Sequence, residues 1–372
     1  MVPLARRYLF SDRLRFAIST GGVAFAVLLI VLILALYQGI YDRAGRLATA
    51  APSELWVTQA GAPDPSHGAS ILPVSVLDSV QDVPSVAVAQ PLLARSMQVG
   101  ESPNTGVVGF VMALPEGPLQ IEAAEAFGVP TLPDAGRTVL SDEVAKELGV
   151  SSGDEVFIGD RDRPLLVTEV SSLVEGAFSG SVFINAEDAH ALFGQPDSYS
   201  FLLVTLAPDA DTETAETEIE SSVPGTNALT REEFADATRR EVEEGFLPIV
   251  AVLIGVAFVV GLAVIALTIY TSTVERVRDY GVLKAVGASP RQLFAVVLRQ
   301  SVIVSLVGFG AGALIAVAAG TLIQDAVPEF TTVYRLQDVL AVLGASFLMS
   351  ALAAIVPIRR VSRVDPAVVF RA

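Results

Sequence analysis

Four long apolar stretches divide the chain, and none of them contains a charged side chain. A helix needs roughly 20 apolar residues to cross a bilayer, and a charge at its centre costs on the order of 2.5–3.5 kcal/mol. The pattern therefore predicts four transmembrane helices, TM1 to TM4, at 16–37, 247–270, 301–323 and 339–358. The remaining ranges are an N-terminal segment, a large domain, a charged connection, a short loop and a tail, at 1–15, 38–246, 271–300, 324–338 and 359–372.

The large domain between TM1 and TM2 has a mixed α/β pattern, in which short apolar or alternating runs are separated by short helices. Ser141 and Asn185 suit helix N-caps, and Gly149 suits a helix end. Strands are predicted at 55–58, 86–89, 95–99, 105–113, 155–158, 165–170, 181–184 and 200–206, and helices at 74–80, 142–148, 186–193 and 212–222. Two groups of strands and helices suggest two related lobes.

The domain ends with a helix signal that leads towards TM2. Thr230 and Glu233 have the spacing of a capping box, in which each residue bonds the backbone of the other. No proline or glycine follows until Gly245 and Pro248. We therefore expect a helical stalk that runs almost into TM2, and a mobile linker is the alternative.

Lys and Arg cluster in three of the connecting segments, and such clusters mark the cytoplasmic side of a membrane. The N-terminal segment, the connection at 271–300 and the tail are basic, with Arg6, Arg7, Arg13, Arg15, Arg276, Arg278, Lys284, Arg291, Arg299, Arg359, Arg360, Arg363 and Arg371. We expect a multi-pass protein of the plasma or inner membrane, with both termini cytoplasmic and the large domain outside. TM1 could instead be a signal peptide, but its charge-free run exceeds the usual 7–15 residues, which favours a retained anchor.

Composition agrees with a membrane protein, since 52% of the residues are apolar and 17% are charged. The net charge of −17 belongs to the large domain, where 34 acidic residues outnumber 10 basic ones. That charge excludes nucleic acid as a partner. The chain has no cysteine and two histidines, so it has no disulfide and no histidine-rich metal site.

Motifs for catalysis and nucleotide binding are missing. A P-loop places a lysine after glycine, whereas Lys146 follows alanine and Lys284 follows leucine. The chain also lacks a serine-hydrolase elbow, a His-Glu-x-x-His motif and a dinucleotide fingerprint. We expect no catalytic residue, no cofactor and no metal. The four apolar stretches hold no ionisable group, which argues against an ion-coupled transporter.

The connection at 271–300, called the coupling segment here, has the order of a helix, a stop and a second helix. The TM2 helix can continue to Val286, where Gly287 can end it, and Ser289 with Pro290 can start another. A basic cytoplasmic loop explains the arginines, but it explains neither Glu275 and Asp279 among them nor the order of helix, stop, cap and helix. A rigid charged elbow of this kind suits docking onto a cytosolic partner.

TM3 contains a pair of small residues at helical spacing. Gly308 and Gly312 lie one turn apart and let another helix approach closely. The pair fits either a dimer contact or packing within the chain, and the sequence leaves both open.

The coupling segment resembles that of ABC permeases of the MacB, FtsX and LolCDE type. Its residues Glu275–Ser289 (ERVRDYGVLKAVGAS) match the recurring form Glu-Arg-x-x-Glu-Ile-Gly-x-x-Lys-Ala-x-Gly-Ala-Ser, with Asp279 and Tyr280 in place of Glu-Ile. The tail from Pro357 and the stretch 140–154 also resemble this family. Two shorter runs, 22–29 and 55–57, are similar to a DevC-like branch.

The resemblance implies a non-catalytic half-permease that forms a homodimer or heterodimer and binds a separate cytosolic ABC ATPase. The ATPase would contact the coupling segment through Glu275, Arg276, Arg278, Asp279, Lys284, Gly287 and Ser289. ATP-driven motion would then reach the outer domain and expel a substrate, with membrane lipid and an extracytoplasmic adaptor or envelope protein as further partners. The alternative is an FtsX-like scaffold that regulates an envelope protein without transport.

Overall fold

The computed structural model describes residues 13–62, 70–174, 180–275, 289–327 and 330–362. They form two compact units. The α/β unit comprises the described residues of 39–245 with Val327 and Phe330, and the helical unit comprises the others. The helices are α1 Arg13–Ala44, α2 Arg46–Ala50, α3 Val74–Gln81, α4 Gln120–Ala126, α5 Asp142–Leu148, α6 Ala186–Phe193, α7 Thr212–Ser222, α8 Arg231–Glu275, α9 Pro290–Ala326 and α10 Leu336–Ser362.

The α/β unit is built around one large sheet of nine strands, beside a small two-stranded sheet. The strands are β1 Leu55–Gln59, β2 Leu72–Pro73, β3 Val86–Gly100, β4 Val107–Ala113, β5 Arg137–Ser141, β6 Glu155–Ile158, β7 Leu165–Ser171, β8 Ser181–Ile184, β9 Ser198–Tyr199, β10 Phe201–Leu206 and β11 Thr226–Thr230. Their order in the large sheet is β11-β1-β10-β3-β4-β8-β5-β7-β6, while β2 pairs with β9.

Part of the large sheet closes into a six-stranded barrel. Its last strand, β6, returns to pair with the end of β3, where Val99 faces Ile158 and Gly100 faces Phe157. The barrel strands are thus β3, β4, β8, β5, β7 and β6. Aliphatic side chains fill its core, among them Leu140, Val182, Leu93, Val111, Val156, Ile158 and Leu165.

The long strand β3 joins the barrel to the remaining strands. Its first half pairs with β10, from Val86 to Leu92, and its second half pairs with β4. We predicted two strands here, separated around Pro91, and that prediction is wrong. Pro91 is tolerated because it lies before β4 becomes a second neighbour, where its missing N–H removes no bond to β4.

Local signals in the α/β unit are mostly confirmed. The Ser141 side chain accepts a bond from Val144 N at the start of α5, which ends at Gly149 with a left-handed φ of 70°. The Asn185 side chain caps α6 in the same way, by accepting from Glu187 N. The strands at 155–158 and 181–184 and the helix at 212–222 have the predicted bounds. The elements α2, α4, β2, β5, β9 and β11 were not predicted from the sequence.

Aromatic stacking joins the start of α8 to the sheet. Phe234 stacks on Trp56 of β1 at a centroid distance of 4.5 Å and an interplanar angle of 6°. Phe201 of β10 meets both rings edge-on, at 5.7 Å and 5.6 Å. The Trp56 indole N–H donates to the Ala48 carbonyl of α2 at 3.2 Å. These contacts fix α8 and α2 on one face of the sheet.

The helical unit contains four helices that are long and apolar enough to cross a membrane, among the described residues. The corresponding stretches are Phe16–Ala44, Arg231–Thr271, Leu298–Ala326 and Leu336–Ile355. Their shared core is aliphatic and includes Val23, Val27, Ile265, Val304 and Met349. The large α/β domain lies in sequence between the first of these helices and the other three.

Candidate coupling site and its supporting contacts

Two residues of the predicted coupling site lie in the described parts of the chain. Glu275 is the last residue of α8, so this helix continues past Tyr270. Ser289 immediately precedes α9, and Pro290 is the first residue of that helix. The other predicted residues, Arg276, Arg278, Asp279, Lys284 and Gly287, lie outside the described residues.

Ser289 begins α9 with a reciprocal cap. The Gln292 backbone N–H donates to Ser289 Oγ at 3.3 Å, and the Ser289 backbone N–H donates to Gln292 Oε1 at 2.8 Å. This is a capping box with glutamine in the third helical position. The local sequence Ser-Pro-Arg-Gln thus specifies a sharp helix start, as the serine and proline predicted.

The helix α8 begins with a cap of the same kind. At the start of α8, the Thr230 backbone N–H donates to Glu233 Oε2 at 2.9 Å, and the Glu233 backbone N–H donates to Thr230 Oγ1 at 3.1 Å. The helix then runs for 45 residues through both Gly245 and Pro248. The predicted stalk is therefore a helix rather than a linker.

The first turns of α8 contact the last turns of α1 inside the α/β unit. The Arg239 guanidinium lies over the Tyr41 ring, 6.0 Å from its centroid. Arg239 Nη1 also donates to Asp236 Oδ1 at 3.0 Å. Near this contact, at the junction of α1 and α2, Gly45 leaves room for the guanidinium.

Arg43 lies two residues from both Tyr41 and Gly45 and makes a buried ion pair with α5, which packs against the barrel. Its Nη2 lies 2.7 Å from Glu143 Oε2 of α5, and each side chain is 2% exposed. Glu143 lies in the helix predicted at 142–148, but the pair was not predicted from the sequence. Its members are 100 positions apart, so no local pattern marks it.

Two carboxyl groups, of Glu216 on α7 and Glu233 on α8, lie close together. Burial raises the pKa of the Glu216 carboxyl, and the neighbouring carboxylates of Glu233, Glu220 and Glu213 raise it further. Glu216 is within hydrogen-bonding reach of Glu233, the residue that caps α8. Glu216 is therefore a neighbour of the cap at the start of α8.

Within the helical unit, glycines let the helices approach closely. A Cβ atom on Gly308 would lie 2.6 Å from Val23 Cβ and 3.0 Å from the Thr20 carbonyl oxygen. A Cβ on Gly312 would collide with the Ala24 carbonyl oxygen, also on α1. The two glycines of the predicted small-residue pair thus face α1 of the same chain.

Two family models together match most of the chain. The MacB-like periplasmic core domain matches residues 16–222, more than half of the chain. The FtsX-like permease C-terminal model matches residues 251–366, which include the coupling segment. The first match covers the α/β unit almost completely, and the second covers the three later helices.

Several of the relatives are permeases that match over nearly their full length. An uncharacterised ABC transporter permease of Mycobacterium tuberculosis is 27% identical over 371 residues, which cover 96% of this chain and 95% of the relative. Another, from Methanocaldococcus jannaschii, is 21% identical over 399 residues and covers 98% and 96%. The periplasmic region of MacB from Actinobacillus actinomycetemcomitans aligns with 52% of this chain and 94% of its own, at 12% identity and a TM-score of 0.37.

Sequence, helix pattern and family matches point to the same assignment. The predicted resemblance is confirmed, as is the fold class of four apolar helices with a large mixed α/β domain after the first. The family implies a cytosolic ATPase as partner. This chain is a membrane protein that belongs to the family of ABC transporter permeases with a MacB-like periplasmic core domain and an FtsX-like C-terminal part.

Proposed function

We propose that this chain is the non-catalytic membrane subunit of a mechanotransmission exporter and that its ATPase is a separate protein. The ATPase docks on the coupling segment, and its closure on ATP displaces α8. The α/β unit, which lies outside the cytoplasm in this proposal, then moves and expels a substrate. Relatives named as permeases that match this chain over nearly their full length support an ATPase on another chain.

The observation that carries the proposal is the continuity of α8. This helix starts inside the α/β unit at a capping box and ends at Glu275, where the coupling segment begins. Its backbone hydrogen bonds give it axial stiffness, so a displacement at one end is passed to the other. A loop at 231–246 would absorb such a displacement.

The coupling segment is the proposed docking surface. Charges of both signs are available there for ion pairs with the ATPase, on Glu275, Arg276, Arg278, Asp279 and Lys284. Complementary charges of this kind favour the correct partner over others. Gly287 and Ser289 set the turn, and the observed cap at Ser289 supports that role. We further propose that two permease chains, identical or different, form the active complex and that both termini are cytoplasmic.

Co-purification tests the docking assignment. The chain is expressed with its ABC ATPase, and the retained ATPase and its hydrolysis rate are measured for wild type, Lys284→Glu and Gly287→Pro. Lys146→Glu is the matched control, because it reverses the chain's other lysine on α5 of the α/β unit. The two coupling variants should lose ATPase or coupled hydrolysis while the control keeps both. Full retention by the coupling variants would contradict the assignment.

Reconstituted vesicles test export itself. Vesicles that contain the complex are given ATP, and movement of a fluorescent lipid or an amphipathic dye across the bilayer is recorded. Movement that depends on ATP and is lost in Lys284→Glu supports the exporter. ATP hydrolysis that depends on the permease, without movement of any compound, would favour the scaffold that regulates an envelope protein.

A further inference from the structure

The buried pair Arg43–Glu143 joins the end of a long helix to the barrel. Arg43 lies in the last turn of α1, and Glu143 lies in the first turn of α5. The 2.7 Å distance between Arg43 Nη2 and Glu143 Oε2 is that of a charge-assisted hydrogen bond. Neither side chain has a role in the docking proposed above.

Stability alone is a weak reason for such a pair. Removing two charges from water is costly, and apolar residues of similar volume in place of a buried ion pair are often neutral or stabilising. An ion pair also fixes the relative position of its two side chains, because its hydrogen bond forms at one geometry. Apolar side chains in contact can shift against each other more easily. A role in positioning therefore fits the pair better than a role in folding.

The pair lies close in sequence to residues that line an open groove. An open groove of about 510 Å³ lies between α2 and the start of α5, and its lining residues are Arg46, Thr49, Ala50, Ser141, Asp142, Ser172, Leu173 and Val174. Glu143 directly follows the lining residue Asp142, and Arg43 lies three residues before the lining residue Arg46. Leu47 and Ala48 of α2 pack in an apolar cluster with Phe110, Val139 and Phe183 of the barrel strands, so this packing holds α2 to the barrel as well as the pair does.

The two long helices enter the α/β unit at different attachment points. The start of α8 is fixed by Phe234, which stacks on Trp56 of β1. The end of α1 is fixed to the barrel by Arg43 and Glu143. The start of α8 thus contacts the β1 and β10 side of the large sheet, and the end of α1 contacts both the barrel and α8.

We propose that Arg43 and Glu143 are the positioning pair that makes the barrel follow α1 during the ATP cycle. The inference rests on the proposed function, because it assigns to α1 a second route for the motion that α8 carries. Breaking the pair lets α2 and the barrel shift across the groove. Part of the motion is then lost before it reaches the barrel.

The absence of cysteine makes a spin-label test direct, since every label goes to an introduced site. The full chain with its ATPase is placed in lipid nanodiscs, with and without ATP. One label pair, Thr49→Cys with Ser151→Cys, reports the distance between α2 and the barrel from two exposed positions. A second pair, Ser151→Cys with Thr321→Cys on α9, reports movement of the barrel against the helical unit.

The variant that removes the pair is Arg43→Met with Glu143→Leu. We expect it to fold, whereas each single change leaves a buried charge and lowers the melting temperature. In the double variant the α2–barrel distances should broaden, and the ATP-driven change in the second pair should fall at least about twofold. Glu143→Gln, which keeps the shape and removes the charge, should broaden the α2–barrel distances to an intermediate degree.

The outcomes separate the two proposals. If the second label pair does not respond to ATP in the wild type, the proposed function is wrong. If it responds equally in the wild type and both variants, and the α2–barrel distances stay narrow, the positioning role is wrong. Loss of the response in the double variant, with a wild-type melting temperature, supports the role, because a purely structural pair would lower both together.

Discussion

The guanidinium of Arg239 occupies the space that a Cβ atom on Gly45 would need. An ideal Cβ at Gly45 would lie 2.6 Å from Arg239 Nη2, well inside van der Waals contact. The end of α1 and the start of α8 therefore meet through a glycine and a long cationic side chain, beside the Tyr41 ring. Within the α/β unit, this contact joins the end of α1 to the first turns of α8.

Gly45→Ala should displace Arg239 rather than the backbone, because the obstructing atoms are the far end of a flexible side chain. We expect a loss of about 0.5–1 kcal/mol, the value of an exposed cation–π contact. When Arg239 is already alanine, Gly45→Ala should lower the free energy of unfolding no further. A double-mutant cycle measured by thermal unfolding checks this coupling between the two residues. Gly21→Ala on α1 is the control, since a Cβ there meets nothing within 4 Å. Equal costs in both backgrounds would contradict the contact.

The glycines of α9 predict which substitutions the helical unit tolerates. Gly308→Ala and Gly312→Ala place a methyl group against backbone carbonyls of α1, which cannot move aside, so each should lose about 1–3 kcal/mol. Gly310→Ala on the same helix is the control, because its Cβ would meet nothing within 4 Å. Unfolding in detergent measures the stability, and light scattering measures the mass of the complex.

The same variants distinguish packing from dimerisation. Loss of stability by the chain itself, with the mass of the complex unchanged, supports intramolecular packing. A stable chain that no longer dimerises after Gly308→Ala would assign the pair to the dimer instead. A change of mass confined to Gly310→Ala would place the dimer contact on the exposed side of α9.

Features set by neighbouring residues could be predicted from the sequence. The caps at Ser141, Asn185, Thr230 and Ser289 depend on bonds across two or three residues, and the structure contains each of them. The apolar stretches likewise predicted the long helices, because membrane crossing is a matter of length and hydropathy.

Features that depend on distant parts of the chain were missed. The closure of the barrel pairs Val99 with Ile158, and no local pattern encodes which strand edges meet. The Arg43–Glu143 pair was missed for the same reason, because an arginine next to TM1 is expected at a membrane surface and its burial is decided by the fold. Of the coupling site, the cap at Ser289 is observed, and the charged docking residues remain predictions.

The raised pKa of Glu216 predicts a pH-dependent stability. A carboxyl whose pKa is higher in the folded state contributes stability below its unfolded pKa of about 4.3, and that contribution is lost as pH rises through the folded value. Glu216→Gln should therefore raise the melting temperature at neutral pH, and the gain should shrink as pH falls towards about 4. Glu101→Gln, at an exposed carboxyl in the β3–β4 turn, serves as the control. A gain independent of pH would contradict the assignment.

The cap at Ser289 predicts a graded effect on coupling. Ser289→Ala removes the acceptor for the Gln292 N–H and should weaken the start of α9 by about 1 kcal/mol. Ser289→Thr keeps the acceptor and is the matched control. Permease-dependent ATP hydrolysis in nanodiscs should fall in the alanine variant and persist in the threonine variant. Equal hydrolysis rates in both variants would show that the cap at Ser289 does not contribute to docking of the ATPase.

Two residues that disfavour a helix interior lie inside α8. Gly245 and Pro248 are both exposed, and a Cβ on Gly245 would meet nothing within 4 Å, so packing within the described residues requires neither of them. In a helix interior they cost about 1 and 3 kcal/mol relative to alanine. Their cost predicts a local bending point at 245–248 during the ATP cycle, with stiff helix on either side that still passes a displacement along α8.

Gly245→Ala with Pro248→Ala should strengthen α8 and raise or preserve the melting temperature, while changing the ATP-driven displacement of the α/β unit. The spin-label pair at Ser151 and Thr321 measures that displacement, and ATPase retention confirms that docking is intact. Gly255→Ala is the matched control, because it replaces another glycine of α8 whose Cβ would meet nothing within 4 Å. An unchanged displacement in the stiffened helix would show that α8 acts as a rigid rod, because a bend would then be unnecessary for transmission.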